Sequence, residues 1–399
     1  MIRPRVHFIK LISAALGLTL ALAGCVSSRA LKPGHTRIGS KQLVVPAQIV
    51  GNQFVVETKW DKHGPWHFLI DTGSSVTLVS EEFARRYATG KAALGTPTVH
   101  VKSSDGQSTL LPSVTINRIE LDDARFDNVQ ALILNCDEIS AHLGVRIDGV
   151  LGFPLFQETI FTLDYPQSRL VLSPVTVMRD LTTTRGTTIK FTNSQRTPFI
   201  PVRLGAENFI ALIDSGNDGP LLLNLIGLHP RFSFGPRPGV TVGTLTGNRT
   251  QEIGRVEQPL DIGPYRFEKP IVDLTDQISS IGGEVLRNFA VTFDQSRNQV
   301  TFYRDSAVPI PPQTRRAAGL SFTKMPTYWR VAGVIPDSPA DAAGVQTGDL
   351  VIRINGESVS DWNLRRYESV VRRATEITFT FLNGTKETPV VVPTFELVP

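Results

Sequence analysis

Cysteine is almost absent: two in 399 residues, Cys25 and Cys136. That excludes a fold stapled by a disulfide framework. It also leaves no Cys-x-x-Cys pair for zinc or redox chemistry. The seven histidines are scattered. His63 and His67 lie four apart, but Gly64-Pro65 between them reads as a turn, so no shared helical face is expected. No metal ion and no cofactor is called for. There is no dense basic stripe with interleaved aromatics, which argues against nucleic acid as a partner. The formal net charge is only +4. Three of those positive charges, Arg3, Arg5 and Lys10, sit in residues 1–24, which contain no acid.

What is plentiful is turn-forming and strand-forming: 32 Gly, 27 Pro and 21 Phe, with many Val, Ile and Thr. This composition predicts a β-rich, turn-rich globular protein of two or three domains. The run Leu11 to Leu20 follows the basic start and is short for a membrane span. It ends in Leu22-Ala23-Gly24-Cys25, which resembles the lipobox of bacterial lipoprotein signal peptides. That resemblance implies removal of residues 1–24, lipidation of Cys25 and attachment to a membrane. Several acyl chains make such an anchor stable. Val26, where an Asp would resemble an inner-membrane retention signal, points to the outer membrane facing the periplasm. Residues 25–40 are polar and read as a tether. Cys136, left without a partner, reads as a small buried hydrophobe at the end of a strand-like run.

The chemistry-bearing stretch is Phe68-Leu69-Ile70-Asp71-Thr72-Gly73-Ser74. An apolar strand delivers a carboxylate into a glycine turn. Taken alone, it reads as a polar hairpin turn. A second copy, Phe209-Ile210-Ala211-Leu212-Ile213-Asp214-Ser215-Gly216-Asn217, changes its meaning. Each copy is preceded by a hairpin and followed by another. Val99–Lys102 and Thr109–Leu111 flank a polar tip at Ser103 to Gly106; the second half has Val240–Val242 and Thr250–Glu252, with Thr246-Gly247-Asn248 at the tip. Each half then closes with an apolar-Gly segment, Val150-Leu151-Gly152 and Ser280-Ile281-Gly282. Thirteen residues separate Leu151 from Asp164, and Ile281 from Asp294. A shared order this long indicates two copies of one β lobe, placed over residues 41–178 and 179–305.

This double Asp-[Thr/Ser]-Gly pattern resembles the pepsin and retropepsin class of aspartic peptidases, and most closely the small-lobed bacterial retropepsin-like group. The resemblance implies an all-β, two-lobed acid-protease fold. In it, Asp71 and Asp214 form a catalytic dyad, and Thr72, Gly73, Ser74, Ser215, Gly216 and Asn217 support it. Thr72 and Ser215 would hydrogen-bond across the dyad, and the hairpin at Ser103 to Gly106 would be the flap. Asn217 stands where Ser or Thr is usual, and Ser280 where an apolar residue is usual.

Residues 306–315 are Pro-rich and read as a linker. Over 316–399 the order changes. Gly319-Leu320-Ser321-Phe322 is followed by Ser338-Pro339-Ala340, Ala343-Gly344 and Gly348-Asp349. This resembles bacterial periplasmic PDZ domains, small β-barrels with two helices. The resemblance implies that Gly319, Leu320, Ser321 and Phe322 form a loop for the carboxylate of a protein C-terminus, with Tyr367 and Val371 beside the last side chain. Two functions are thereby expected in competition. One is a membrane-anchored aspartic endopeptidase acting on peptides or proteins. The other is a catalytically silent scaffold that binds peptides. Oligomeric state is not set by the sequence.

Overall fold

The computed structural model describes residues 31–39, 41–60, 63–89, 97–102, 106–175, 186–244, 247–305, 309–311 and 313–399. The expected signal peptide, Cys25, the flap tip at 103–105 and Thr246 at the second tip lie outside the described residues. The fold is mostly β.

The two halves repeat one strand order. In the first, strand His63–Asp71 pairs antiparallel with Gln53–Trp60 and parallel with Gly149–Gly152. Gly149–Gly152 pairs with Thr77–Val79, which runs parallel to Ala124–Ile133. In the second, Glu207–Ile213 pairs antiparallel with Phe199–Leu204 and parallel with Ser280–Ile281. Ser280–Ile281 pairs with Leu221–Leu223, which runs parallel to Ile271–Leu274. The two short inner strands, Thr77–Val79 and Leu221–Leu223, are buried at every position, as strands covered on both faces must be.

The halves join through the closing strands. Thr159–Asp164 pairs antiparallel with Ala290–Asp294, with Thr162 opposite Thr292. Their hydroxyls meet at 2.8 Å. Phe161 stacks on Phe293 with ring centroids 4.8 Å apart. One hydrophobic core runs through both lobes. Each aspartate loop is therefore held by its own lobe and fixed relative to the other.

Three details differ from the sequence reading. The expected tether over 25–40 is not loose throughout: His35–Arg37 forms a strand paired with Ala124–Ile133. Its ladder, and the bond from Gln130 N–H to Lys32 O at 2.9 Å, satisfy backbone groups that composition alone leaves open. The turn expected at Gly64-Pro65 lies inside strand His63–Asp71, because the hairpin turns before His63. Cys136 is buried but stands at the N-terminal boundary of helix Asp137–Leu143, three residues beyond the end of its strand.

The C-terminal strands Leu320–Lys324, Trp329–Val334, Leu350–Ile354, Glu376–Asn383 and Lys386–Pro393 form a separate sheet around Trp329, Trp362 and Phe379. Leu320–Lys324 is an edge strand of this sheet. Helix Pro339–Ala342 starts at Ser338, whose hydroxyl accepts from Asp341 N–H at 3.3 Å. Arg315–Ala317 pairs with the last strand, Phe395–Val398. That ribbon lies on the second lobe: Ala317, Ile335, Leu397 and Val398 share a buried cluster with Ile253 and Ile271. Arg255 ties the contact, donating to the carbonyls of Lys269 (2.6 Å), Gln313 and Pro399.

Candidate active site

The structure brings Asp71 and Asp214 together, and the two loops are near mirror copies in their hydrogen bonds. Gly73 N–H and Ser74 N–H donate to Asp71 Oδ1 at 2.8 and 3.1 Å. Gly216 N–H and Asn217 N–H donate to Asp214 Oδ1 at 3.1 and 3.2 Å. Oδ1 of each aspartate is thus held by two backbone amides of its own loop.

A reciprocal lock lies beneath. Thr72 N–H donates to Ser215 Oγ and Ser215 N–H to Thr72 Oγ1, both at 3.0 Å. The Thr72 hydroxyl donates to Ile213 O at 2.7 Å, and the Ser215 hydroxyl to Ile70 O at 2.8 Å. Both side chains are fully buried, so two amides, two hydroxyls and two carbonyls satisfy one another away from water. Only a hydroxyl can accept and donate at once in this arrangement.

The glycines are dictated by the opposite carboxylate. A Cβ on Gly73 would stand 2.5 Å from Asp214 Oδ1, and one on Gly216 would stand 2.5 Å from Asp71 Cγ. Any side chain there would push the aspartates apart.

The electrostatics follow from this crowding. Both aspartates retain some exposed surface. Burial of the carboxylates nevertheless pushes Asp71 above the usual range, against the opposing pull of the Gly73 amide and the Asp214 hydrogen bond. Burial, and then the charge of Asp71, push Asp214 well above it. Two carboxylates this close do not both ionise cheaply, so one proton belongs to the pair.

The two departures from the family pattern are partners. Asn217 Nδ2 donates to Ser280 Oγ at 3.4 Å, while Asn217 Oδ1 accepts from Gly219 N–H at 2.9 Å. On the other side, Ser74 Oγ donates to Val76 O at 2.8 Å. The Asn217 N–H that reaches Asp214 is a backbone group, so the substitution does not remove it.

Several neighbours were not legible in the sequence. Asn52 and Gln53, in the first hairpin, cross to the second lobe. Asn52 Nδ2 donates to Asp218 O at 2.9 Å, and Gln53 Nε2 donates to Gly216 O. Tyr165 is buried beneath the dyad, edge-on to Phe54 at 5.2 Å. Burial and the charges of Asp214 and Asp71 drive its phenol far above the usual range, so it stays neutral. Its only sequence cue is its place directly after the closing Asp164. At the described end of the flap hairpin, Gly106 lies against Gln277 of the second lobe. Two surface hollows lie elsewhere: one around Pro220 and Phe267, the other around His63, Tyr87 and Arg118. At the dyad, by contrast, two carboxylates are held side by side with both pKa values raised.

Gly319, Leu320, Ser321 and Phe322 fall at the start of the C-terminal sheet's edge strand, with Gly319 at φ +82°. Phe322 sits edge-on to Tyr367 at 5.5 Å, so strand and helix Leu364–Arg373 face each other. Cys136 offers no nucleophile: burial, then the charge of Asp148, pushes its thiol up to about 12. It is expected to resist iodoacetamide at mildly alkaline pH in the folded protein and to react once urea unfolds it. Labelling of the folded chain at a free-thiol rate contradicts this.

Residues 56–155 match the family model for aspartyl protease, and residues 330–380 match that for PDZ domains. Comparison with curated proteins gives no significant match. Among solved structures, a PDZ domain protein from Parabacteroides distasonis is 18% identical, covering 21% of this chain and 20% of its own, with a TM-score of 0.19. The HtrA3 PDZ domain bound to a phage-derived ligand is 16% identical, covering 21% of this chain and 89% of its own, also with a TM-score of 0.19. The chain therefore spans about a fifth of the first structure and most of the second, which is a single domain. The chain carries an aspartyl protease family segment, with Asp71 inside it, followed by a PDZ domain.

Proposed function

We propose that the protein is an aspartic endopeptidase whose dyad is Asp71 and Asp214. The observation that carries this reading is the reciprocal Thr72–Ser215 lock, which holds two crowded carboxylates with raised pKa values in one place. One carboxylate acts as general base on a water held between them. The other keeps its proton and donates it to the scissile carbonyl, stabilising the charge that develops there. Near-symmetric loops leave both assignments chemically equivalent. A silent scaffold has less support, since Asn217 keeps its amide on Asp214.

The flap hairpin closes over an extended substrate, which pairs with it as a strand. The edge strand Leu320–Lys324 offers the PDZ domain's place for a second peptide strand, with a chain-terminal carboxylate at Gly319 to Phe322. Cys25 anchors the chain in a membrane of the cell envelope, with the outer membrane facing the periplasm as its setting. Loss of palmitate labelling in Cys25→Ser tests the anchor.

The pH dependence of peptide hydrolysis tests the dyad. Activity is expected to fall at low pH, as the base carboxylate takes up a proton. It is expected to fall again at higher pH, as the pair loses its shared proton. Because Asp214 lies well above 3.8, the second fall belongs above the ordinary carboxylate range. A rate that keeps rising through neutral pH counts against the dyad.

A further inference from the structure

Arg315, expected in the linker, lies instead in the ribbon Arg315–Ala317, which pairs with Phe395–Val398 and leads into the C-terminal sheet, and its guanidinium is directed at the second lobe. It forms an ion pair with Glu284 of the second lobe. Glu284 follows the closing Gly282-Gly283 segment, and its backbone is bound to the catalytic loop. Glu284 N–H donates to Gly219 O at 3.0 Å, and Gly283 N–H donates to Asn217 O at 2.7 Å. Gly219 N–H in turn donates to Asn217 Oδ1 at 2.9 Å, and Asn217 N–H to Asp214 Oδ1 at 3.2 Å. A continuous chain of bonds thus runs from the PDZ ribbon to a dyad carboxylate. The first lobe repeats the backbone part of this support, Phe153 N–H donating to Ser74 O at 3.0 Å, but the residue there that corresponds to Glu284 is Pro154, which carries no charge to pair with an arginine.

The surroundings of Arg315 show how much rests on it. Glu284, Asp273, Asp218 and Glu368 all act on its charge. Asp218 lies in the catalytic loop, and Glu368 in the PDZ helix Leu364–Arg373. Four carboxylates gather around this arginine, with Arg372 beside Glu368 as the other cation acting on it. Burial and the Asp218 charge push Glu368 above the usual glutamate range. Most of the Arg315 and Glu284 side-chain surface is covered. Removing the cation would leave buried carboxylates facing one another at the back of the Asp214 loop.

We propose that Arg315 and Glu284 are positioning residues for Asp214, so that the PDZ domain completes the catalytic centre through the second lobe. This rests on the dyad reading. Neither residue touches substrate; each acts through the Asn217–Gly219 backbone. Tyr367 and Val371 share the helix of Glu368, so a peptide in the PDZ groove presses on the same assembly.

The test uses the full mature chain and the variants Arg315→Ala, Arg315→Lys and Glu284→Gln. Hydrolysis of a quenched fluorescent peptide gives kcat and KM. Hydrogen exchange read by mass spectrometry follows the amides of residues 214–220, whatever the activity. Expected results are a fall of about 10-fold or more in kcat for Arg315→Ala and Glu284→Gln, with KM within about twofold, the pattern of a misplaced catalytic group. Arg315→Lys, which keeps the charge, is expected to recover most of that loss. Exchange at 214–220 should quicken in Arg315→Ala and Glu284→Gln while the first loop, residues 71–77, is unchanged. Folded variants with wild-type kcat and wild-type exchange at 214–220 overturn the proposal. If exchange quickens as expected but the wild-type chain cleaves nothing, the positioning stands and the dyad function falls. If Arg315→Ala does not fold, Glu284→Gln and Arg315→Lys decide by the same readings.

Discussion

Asp214→Asn is expected to lower kcat by roughly 10³- to 10⁴-fold while making the folded protein more stable at neutral pH. The loss follows from general acid–base catalysis, which contributes on the order of 10²- to 10⁴-fold for one positioned group, and from the added loss of charge stabilisation at the carbonyl. Asparagine keeps the shape and the oxygen that accepts from Gly216 and Asn217, but it cannot exchange a proton. The gain in stability follows from linkage. The folded-state pKa of Asp214 lies well above 3.8 because of burial and the charge of Asp71. The folded protein therefore binds this proton more tightly than the unfolded chain. That contribution is complete below 3.8 and is lost as pH rises through the folded value. An uncharged amide is free of this pH-dependent penalty. The relief should appear as a higher Tm at neutral pH and an unchanged Tm at pH about 3, where the aspartate is protonated in both states. Calorimetry at the two pH values separates this from a general stabilisation, which would raise both.

Thr72→Val is expected to damage stability and activity together. Valine fills the same volume but leaves Ile213 O without its 2.7 Å donor and Ser215 N–H without its 3.0 Å acceptor. Both groups are buried, and each unsatisfied group costs about 1–3 kcal/mol. A loss of about 2–5 kcal/mol should appear as a markedly lower urea midpoint at an unchanged slope. The lock also sets the distance between the carboxylates, so kcat should fall by roughly 10²-fold, the scale of an ångström of misplacement. Thr72→Ser keeps the hydroxyl and should stay within about 1 kcal/mol. A Thr72→Val midpoint equal to wild type would mean that the two loops are held by packing alone.

The contrast between these residues and Arg315 explains what could be read from the sequence. Asp71, Asp214 and the closing Gly152 and Gly282 were visible because each sits at a fixed place in a repeated local pattern. The helix at Ser338 was visible for the same reason, its cap and Pro being adjacent in the chain. The strand His35–Arg37 was not, because only its distant partner Ala124–Ile133 gives it structure. Gly64-Pro65 carried a true turn signal that strand pairing overrode. Tyr165, Gln53 and Glu284 are ordinary residues in sequence; what distinguishes them is which group of the other lobe, or of the PDZ ribbon, lies opposite. Asn217 and Ser280 appeared as separate departures and are one hydrogen-bonded pair. They stand 63 positions apart, a separation that no local pattern spans.

The most direct measurement is the identification of new termini by mass spectrometry. A denatured-protein mixture is incubated at mildly acidic pH with the full mature chain, with Asp71→Asn and with Asp214→Asn. The account predicts abundant new termini from the wild-type chain and almost none from either variant, with both variants folded by circular dichroism. Equal cleavage by all three proteins, or none by the wild type at any pH from acidic to neutral, would contradict it.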